Sequence, residues 1–168
     1  MVAGVPRRRI LAGFAALAAC PAALRAEEVV DLEWEDLLPR GQTTIPKTLR
    51  GVLPHDQGDL AASQPQSTGV RTDWNGRIVR LPGFIVPIDY RGTGVSAFIL
   101  VPYVGACVHV PPPPANQLVF VTTGDPYESK GLFEAVNVTG LFGTASTSTQ
   151  VAEIGYALSA EKIEPFGT

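Results

Sequence analysis

The chain is poor in the residues that build redox and metal chemistry: its 168 residues include two cysteines, two histidines and one methionine. The lone Met1 excludes a methionine-rich cuprous site, and two cysteines are too few for a disulfide-dense scaffold. Long apolar runs are missing as well. The stretch Ile10–Ala19 falls short of the roughly 20 residues a membrane-spanning helix needs. There is no Walker loop, dinucleotide glycine pattern, Gly-x-Ser-x-Gly elbow or His-Glu-x-x-His sequence, so the signatures of those nucleotide, hydrolase and zinc-protease classes are absent. Finally, charge vanishes locally: between Arg91 and Asp125 there is no Asp, Glu, Lys or Arg.

What is present begins with an export pattern over residues 1–26. Arg7, Arg8 and Arg9 form a basic start, Ile10–Ala19 an apolar middle, and Leu24-Arg25-Ala26 a small-residue cleavage site before Glu27. The run Arg7-Arg8-Arg9-Ile10-Leu11 is similar to a twin-arginine signal, which implies export after folding. Leu17-Ala18-Ala19-Cys20 is similar to a lipobox, although Pro21 is an awkward neighbour for it. Two outcomes stay open: soluble release after Ala26, or lipidation at Cys20 as the only link to a membrane. Either way the expected location is periplasmic.

Residues 1–26 hold four of the 13 basic residues and no acidic one, so nine basic residues then face 16 acidic ones, a net charge of −7. That sign is wrong for a protein that binds a phosphate backbone, and no nucleic-acid partner is expected. With Cys20 removed or lipidated, Cys107 has no partner for a disulfide within the chain. Nothing in the sequence specifies an oligomeric state.

The remainder is sized for one domain. Within residues 27–75, Trp34, Leu37 and Leu38 fall at helical spacing among acidic residues until Pro39, which predicts a short helix docked by its tryptophan. From Arg40 to Asn75 the composition turns to Gly, Pro, Gln, Ser, Thr and Asp, an irregular arm in which His55 reads as a solvated loop histidine. Residues 76–168 read as all β. Strands are expected at Ile78–Val86, Ala97–Val101, Leu118–Thr122, Val136–Phe142 and Tyr156–Ala160. The first has two apolar faces, Ile78, Phe84 and Val86 against Val79, Leu81 and Ile85, with a bulge expected at Gly83. Five such strands predict a small closed OB-like barrel, with a sandwich as the alternative, because closure removes apolar edges. A short helical turn fits between Thr122 and Val136, and Thr144–Thr149 reads as a polar loop.

The uncharged stretch holds the chemistry-bearing candidates. Tyr103 leads into Cys107, His109, the prolines Pro111, Pro112, Pro113 and Pro114, then Asn116 and Gln117. On an extended strand Cys107 and His109 project to one side, a thiolate and imidazole pair suited to zinc or copper. Two ligands do not close a zinc site, and His55, Asp125 and Glu128 lack metal-like spacing with them. A Cys107 nucleophile activated by His109 is a second reading, although the two are about 7 Å apart along a strand and no orienting Asn or Asp is adjacent. In the third, Cys107 is a small buried hydrophobe beside a stiff polyproline brace. The prolines could also present a surface to a protein partner. Tyr90, Tyr103, Phe98 and Phe120 are candidate liners of a ligand-binding face, or core.

The phrases Arg80-Leu81-Pro82-Gly83-Phe84-Ile85-Val86-Pro87 and Phe98-Ile99-Leu100-Val101-Pro102-Tyr103, continuing through Cys107, His109 and the prolines to Asn116-Gln117, resemble the bacterial exported family catalogued as DUF3299, a domain of unknown function. The resemblance runs from Trp34 to Phe166. It implies an accessory role, since some members look like periplasmic lipoproteins accompanying transport systems, including zinc-associated ones. It implies no catalytic residue. The expectation is therefore an exported, non-enzymatic binding or accessory module that contacts an envelope partner, a transport system or a small ligand through Tyr103–Gln117. The alternatives are a zinc- or copper-binding accessory protein using Cys107 and His109, and a thiol-dependent enzyme.

Overall fold

A computed structural model describes residues 1, 28–41, 64–105, 112–149 and 152–167. The export segment with Cys20, the part of the arm holding His55, and the stretch with Cys107, His109 and Pro111 lie outside the described residues. Among the described residues six strands form one mixed sheet: β1 (Val30–Asp31), β2 (Arg77–Arg91), β3 (Gly94–Val101), β4 (Val119–Tyr127), β5 (Ala135–Ser148) and β6 (Glu153–Pro165). Their order is β1-β2-β3-β4-β6-β5, and β5 also pairs with β2, so the hydrogen-bonded pairings close into a ring. All ring pairs are antiparallel except β4–β6. The sheet is single, not the two layers of a sandwich.

The expected two-faced first strand is present and longer than its apolar core. Val79, Leu81 and Ile85 enter an interior cluster with Phe98, Leu100, Val119, Val138 and Tyr156. Val86 and Phe84 join a second cluster with Ile99, Val101, Leu118 and Ile154. Burial on both faces follows from the hand-over along β2: its first half pairs with β5, its second half with β3, and Phe84 pairs with both.

Gly83 is not the expected bulge, because the register runs through it unbroken from Pro82↔Asn137 to Phe84↔Ala135. Its role is close approach: a Cβ there would lie 2.7 Å from Leu100 Cγ. The ladder shifts elsewhere: β2 slips against β3 between Pro87 and Tyr90, and on β6 Thr139↔Lys162 is followed by Gly140↔Ala160, which leaves Glu161 over. A Cβ on Gly140 would come within 2.0 Å of the Ser159 carbonyl oxygen, so only glycine fits.

The N-terminal helix is replaced by β1 and a single 3-10 turn, Trp34–Leu37. Asp31 is taken by the sheet, pairing in parallel with Arg80 and forming an ion pair with its guanidinium at 2.6 Å. The turn then buries Leu37 completely in the interior cluster. Its carbonyls are satisfied by side chains from far along the chain. Gln117 Nε2 donates to Trp34 O at 2.9 Å, Trp74 Nε1 to Asp36 O at 3.3 Å, and the Tyr156 hydroxyl to Leu37 O at 2.6 Å. Trp34 docks as expected, through Nε1 to Pro82 O at 2.7 Å. That contact also explains a proline within a strand: Pro82 turns its carbonyl, and with it its missing N–H, away from β5, so no ladder bond is lost.

No helix forms between β4 and β5. β4 continues to Tyr127, and residues 128–134 make a turn organised by Glu134. Its carboxylate accepts from the Tyr127 hydroxyl at 2.9 Å, the Ser129 hydroxyl at 3.0 Å and the Lys130 N–H at 2.6 Å. Burial opposes ionisation of Glu134, yet these donors hold its carboxyl below its ordinary value. Burial, with Glu134 accepting its proton, pushes the Tyr127 phenol up to about 12.

Two outcomes follow. Tyr156→Phe leaves the Leu37 carbonyl and the Arg71 N–H, which donates to the Tyr156 oxygen at 2.7 Å, without their buried partner. The expected loss is about 1–3 kcal/mol in urea unfolding; an unchanged midpoint would show that the turn is not held by this bridge. For Glu134, a folded pKa below the ordinary 4.5 gives a contribution that is complete above that value and lost as pH falls through the folded pKa. Glu134→Gln should therefore cost stability at pH 7 and progressively less below that ordinary value, and an equal cost at pH 7 and pH 3 would refute this.

Candidate functional site

Consecutive prolines deliver the chain to a second 3-10 turn. Pro114 has an extended backbone with φ −53° and ψ 152°, and Ala115–Gln117 close the turn with Gln117 N–H donating to Pro114 O at 2.8 Å. Leu118, fully buried, then enters β4. Asn116 and Gln117, expected at the surface, are 1% and 5% exposed. A short turn between a rigid leader and a core strand points them inward, where they clamp the chain. Gln117 holds the N-terminal turn through Trp34 O. Asn116 Nδ2 donates to Gly69 O at 2.9 Å. Its Oδ1 is buried with no hydrogen-bond partner among the described residues, a costly arrangement.

Asn116 thereby fixes a segment that crosses the end of the β5–β6 hairpin. Residues 64–76 lack regular structure except for a turn at 73–76, as the composition predicted for the arm. They are nevertheless tied down along their length. At one end the Gln64 amide takes both backbone groups of Glu153: Nε2 donates to Glu153 O and Oε1 accepts from Glu153 N–H, each at 2.8 Å. Gln64 Nε2 also reaches Pro113 O at 2.8 Å. In the middle, a Cβ on Gly155 would lie 2.8 Å from both Val70 Cγ1 and Ala115 O, so β6, the crossing segment and the proline-led turn meet at a glycine. At the other end Asn75 Oδ1 accepts from Thr144 N–H at 2.8 Å, and Asn75 Nδ2 donates to Thr144 Oγ1 at 3.1 Å.

Between this crossing segment and the hairpin lies a groove of about 550 Å³, within the roughly 300–1,000 Å³ range of ligand sites. Ser67, Gly69 and Val70 form one side; Thr144, Ala145 and Ser148 form the other, with Ala115 and Gly155 between. Among the described residues lining it, Glu153 is the one that carries charge. Most of the lining side chains are small, and Val70 is exposed.

The predicted site residues therefore separate. Pro112 and Pro114 are half-buried and Pro113 is buried; Asn116 is buried against Gly69 of the groove wall, and Gln117 against the N-terminal turn. Tyr103 is half-buried against the second cluster with Phe120. Phe98 is core and Tyr90 is 58% exposed, so the four aromatic candidates do not share one face. Among the described residues no group of three or more His, Cys, Asp or Glu could hold a metal; Cys107, His109 and His55 are not among them. No described helix is long and apolar enough to cross a membrane.

The sequence reading missed the hairpin end. Residues 144–149, expected as a polar loop, continue β5 to Ser148. The signal was present in the repeated Thr, a β-branched residue that suits a strand despite its polarity.

Fold and clamps define a single-sheet all-β module whose N-terminal turn and crossing segment are locked onto a closed circuit of strands. The chain belongs to the DUF3299 family, described as a protein of unknown function, whose model matches residues 34–165. It is similar to the crystal structure of a DUF3299 family protein from Pseudomonas aeruginosa PAO1, with 34% identity and a TM-score of 0.70, over 84% of this chain and 98% of that one. Comparison with curated proteins found no match.

If Asn116 positions the groove wall, Asn116→Ala should speed amide hydrogen exchange across residues 64–70 several-fold and leave the β4 amides protected. Uniform loosening of both regions, or none in either, would contradict this role.

Proposed function

We propose that this protein is an exported, non-enzymatic binding module on the periplasmic side of a cell envelope, an accessory that contacts a partner or ligand through the groove at the β5–β6 hairpin. The carrying observation is that groove, bounded by a crossing segment held at both ends and in the middle. A wall clamped by Gln64, Asn116 and Asn75 is pre-organised, which reduces the ordering cost of binding.

The fold reading behind this is an OB-like barrel. Numbered from β2, the ring strands follow the order 1-2-3-5-4 and back to 1, with the third and fifth parallel, as in that architecture. In OB folds the connection between the fourth and fifth strands is one of the loops that bind ligands, and its counterpart here is the β5–β6 hairpin beside the groove. This is an analogy of fold and supports the place of the site, not its ligand. Export rests on the basic, apolar and small-residue order of residues 1–26, and assistance to an envelope transport system on the family resemblance. The mature chain is either free after cleavage at Ala26 or anchored by lipid at Cys20.

Photo-crosslinking tests the reading in the host's own envelope. A crosslinker at Ser67 or at Ser148 should yield the same discrete adduct, and one at Lys162, exposed further along β6, should not. Background products from the groove positions, or one set of products from all three, would overturn it.

A further inference from the structure

The two carboxamides at the groove act as stand-ins for a neighbouring strand. A β-strand residue presents its N–H and C=O together to one side. Glu153 turns both away from Ser148, its partner on β5, and there the Gln64 amide accepts from one and donates to the other. Asn75 serves Thr144 in part, on the side of β5 that faces away from β6: its Oδ1 accepts from the Thr144 N–H, while its Nδ2 donates to the Thr144 side-chain hydroxyl. Beyond Asn75 that edge has no strand to pair with among the described residues. β2 reaches only to Phe142, Gly76 N–H still bonds Phe142 O, and among the described residues no strand flanks Ala145–Ser148 opposite β6. This overhang borders the groove, since Ala145 and Ser148 line it.

An unpaired edge beside a pocket of small residues suits one class of ligand, an extended polypeptide that adds a strand and sets alternate side chains into the pocket. Charge narrows the class. No cationic side chain lines the groove among the described residues, whereas Glu153 does, so an acidic side chain is disfavoured and a basic one is matched. Resting on the groove as the contact surface, we infer that the occupant is an extended peptide segment, paired with β5 at Ala145–Ser148 and carrying a Lys or Arg toward Glu153. The last part of β6, by contrast, carries Glu161, Lys162 and Glu164 and ends in Pro165, charges and an imino acid that discourage pairing.

The test uses the mature chain and an array of heptapeptides in which valine alternates with lysine, glutamine or glutamate. The lysine series should bind at least tenfold more tightly than the glutamate series. Peptide binding should slow amide exchange at Ala145–Ser148, and N-methylation of alternate peptide amides should abolish binding in one register and spare it in the other. Glu153→Gln should erase the preference for lysine with an unchanged melting temperature, and Ser148→Trp should block all series. Equal tolerance of N-methylation in both registers would overturn strand addition. So would a missing response of the array when crosslinking from Ser67 and Ser148 still captures a partner; the groove would then stand with a different occupant. Crosslinks that join two copies of this chain would overturn it in favour of self-association, and failure of both array and crosslinking would remove the groove reading itself.

Discussion

The structure depends on the satisfaction of three carbonyls in a four-residue turn. A 3-10 turn leaves backbone acceptors without partners, and burying Leu37 carries the end of the turn into the interior cluster, where water does not serve its carbonyl. Gln117, Trp74 and Tyr156 supply the donors. Because these residues come from the proline-led turn, the crossing segment and β6, one set of bonds joins four separated parts of the chain. Each donor has further work: Tyr156 also receives the Arg71 amide and stacks on Phe142 with ring centroids 5.2 Å apart. The N-terminal segment is thus an integral closure of the core.

The same economy shapes the groove. Side-chain amides are versatile because one group both donates and accepts. Gln64, Asn75, Asn116 and Gln117 each bind backbone groups here, completing edges and turns that strand pairing does not reach. Gln64, Asn116 and Asn75 tie the irregular crossing segment to the folded strands at three points. Glycine performs the complementary task, since Gly155 and Gly140 permit backbone approaches that a single methyl would block. A groove walled by clamped backbone and small side chains is the result.

Part of this was legible in advance. The apolar alternation of Ile78–Val86 identified a strand with two buried faces, which follow from having different neighbours at each end. Trp34 was legible as an anchor because a lone tryptophan before Pro39 has few other uses. The helix expected around it was not, because spacing alone cannot reveal that Asp31 is claimed by Arg80 in parallel pairing. Gly83 and Gly140 look alike in sequence. Only the neighbouring strand decides which is pressed by the Leu100 side chain and which sits opposite a bulge. Asn116 and Gln117 looked like polar surface beside a proline run, and their burial depends on carbonyls more than 40 residues away in the chain.

By itself the sequence determined the all-β character of residues 76–168, the membership suggested by its Pro-Gly-Phe and Pro-Tyr phrases, and the export pattern at its start. These depend on local composition and period, which neighbouring residues carry between them. The tertiary structure alone decided that the strands close on one another through a parallel β4–β6 pair, that the polar run after Phe142 is an overhanging strand, and that a groove opens beside it. Those features arise from hydrogen bonds between residues far apart in the chain, and a backbone donor carries no mark in its own side chain of the acceptor it will meet.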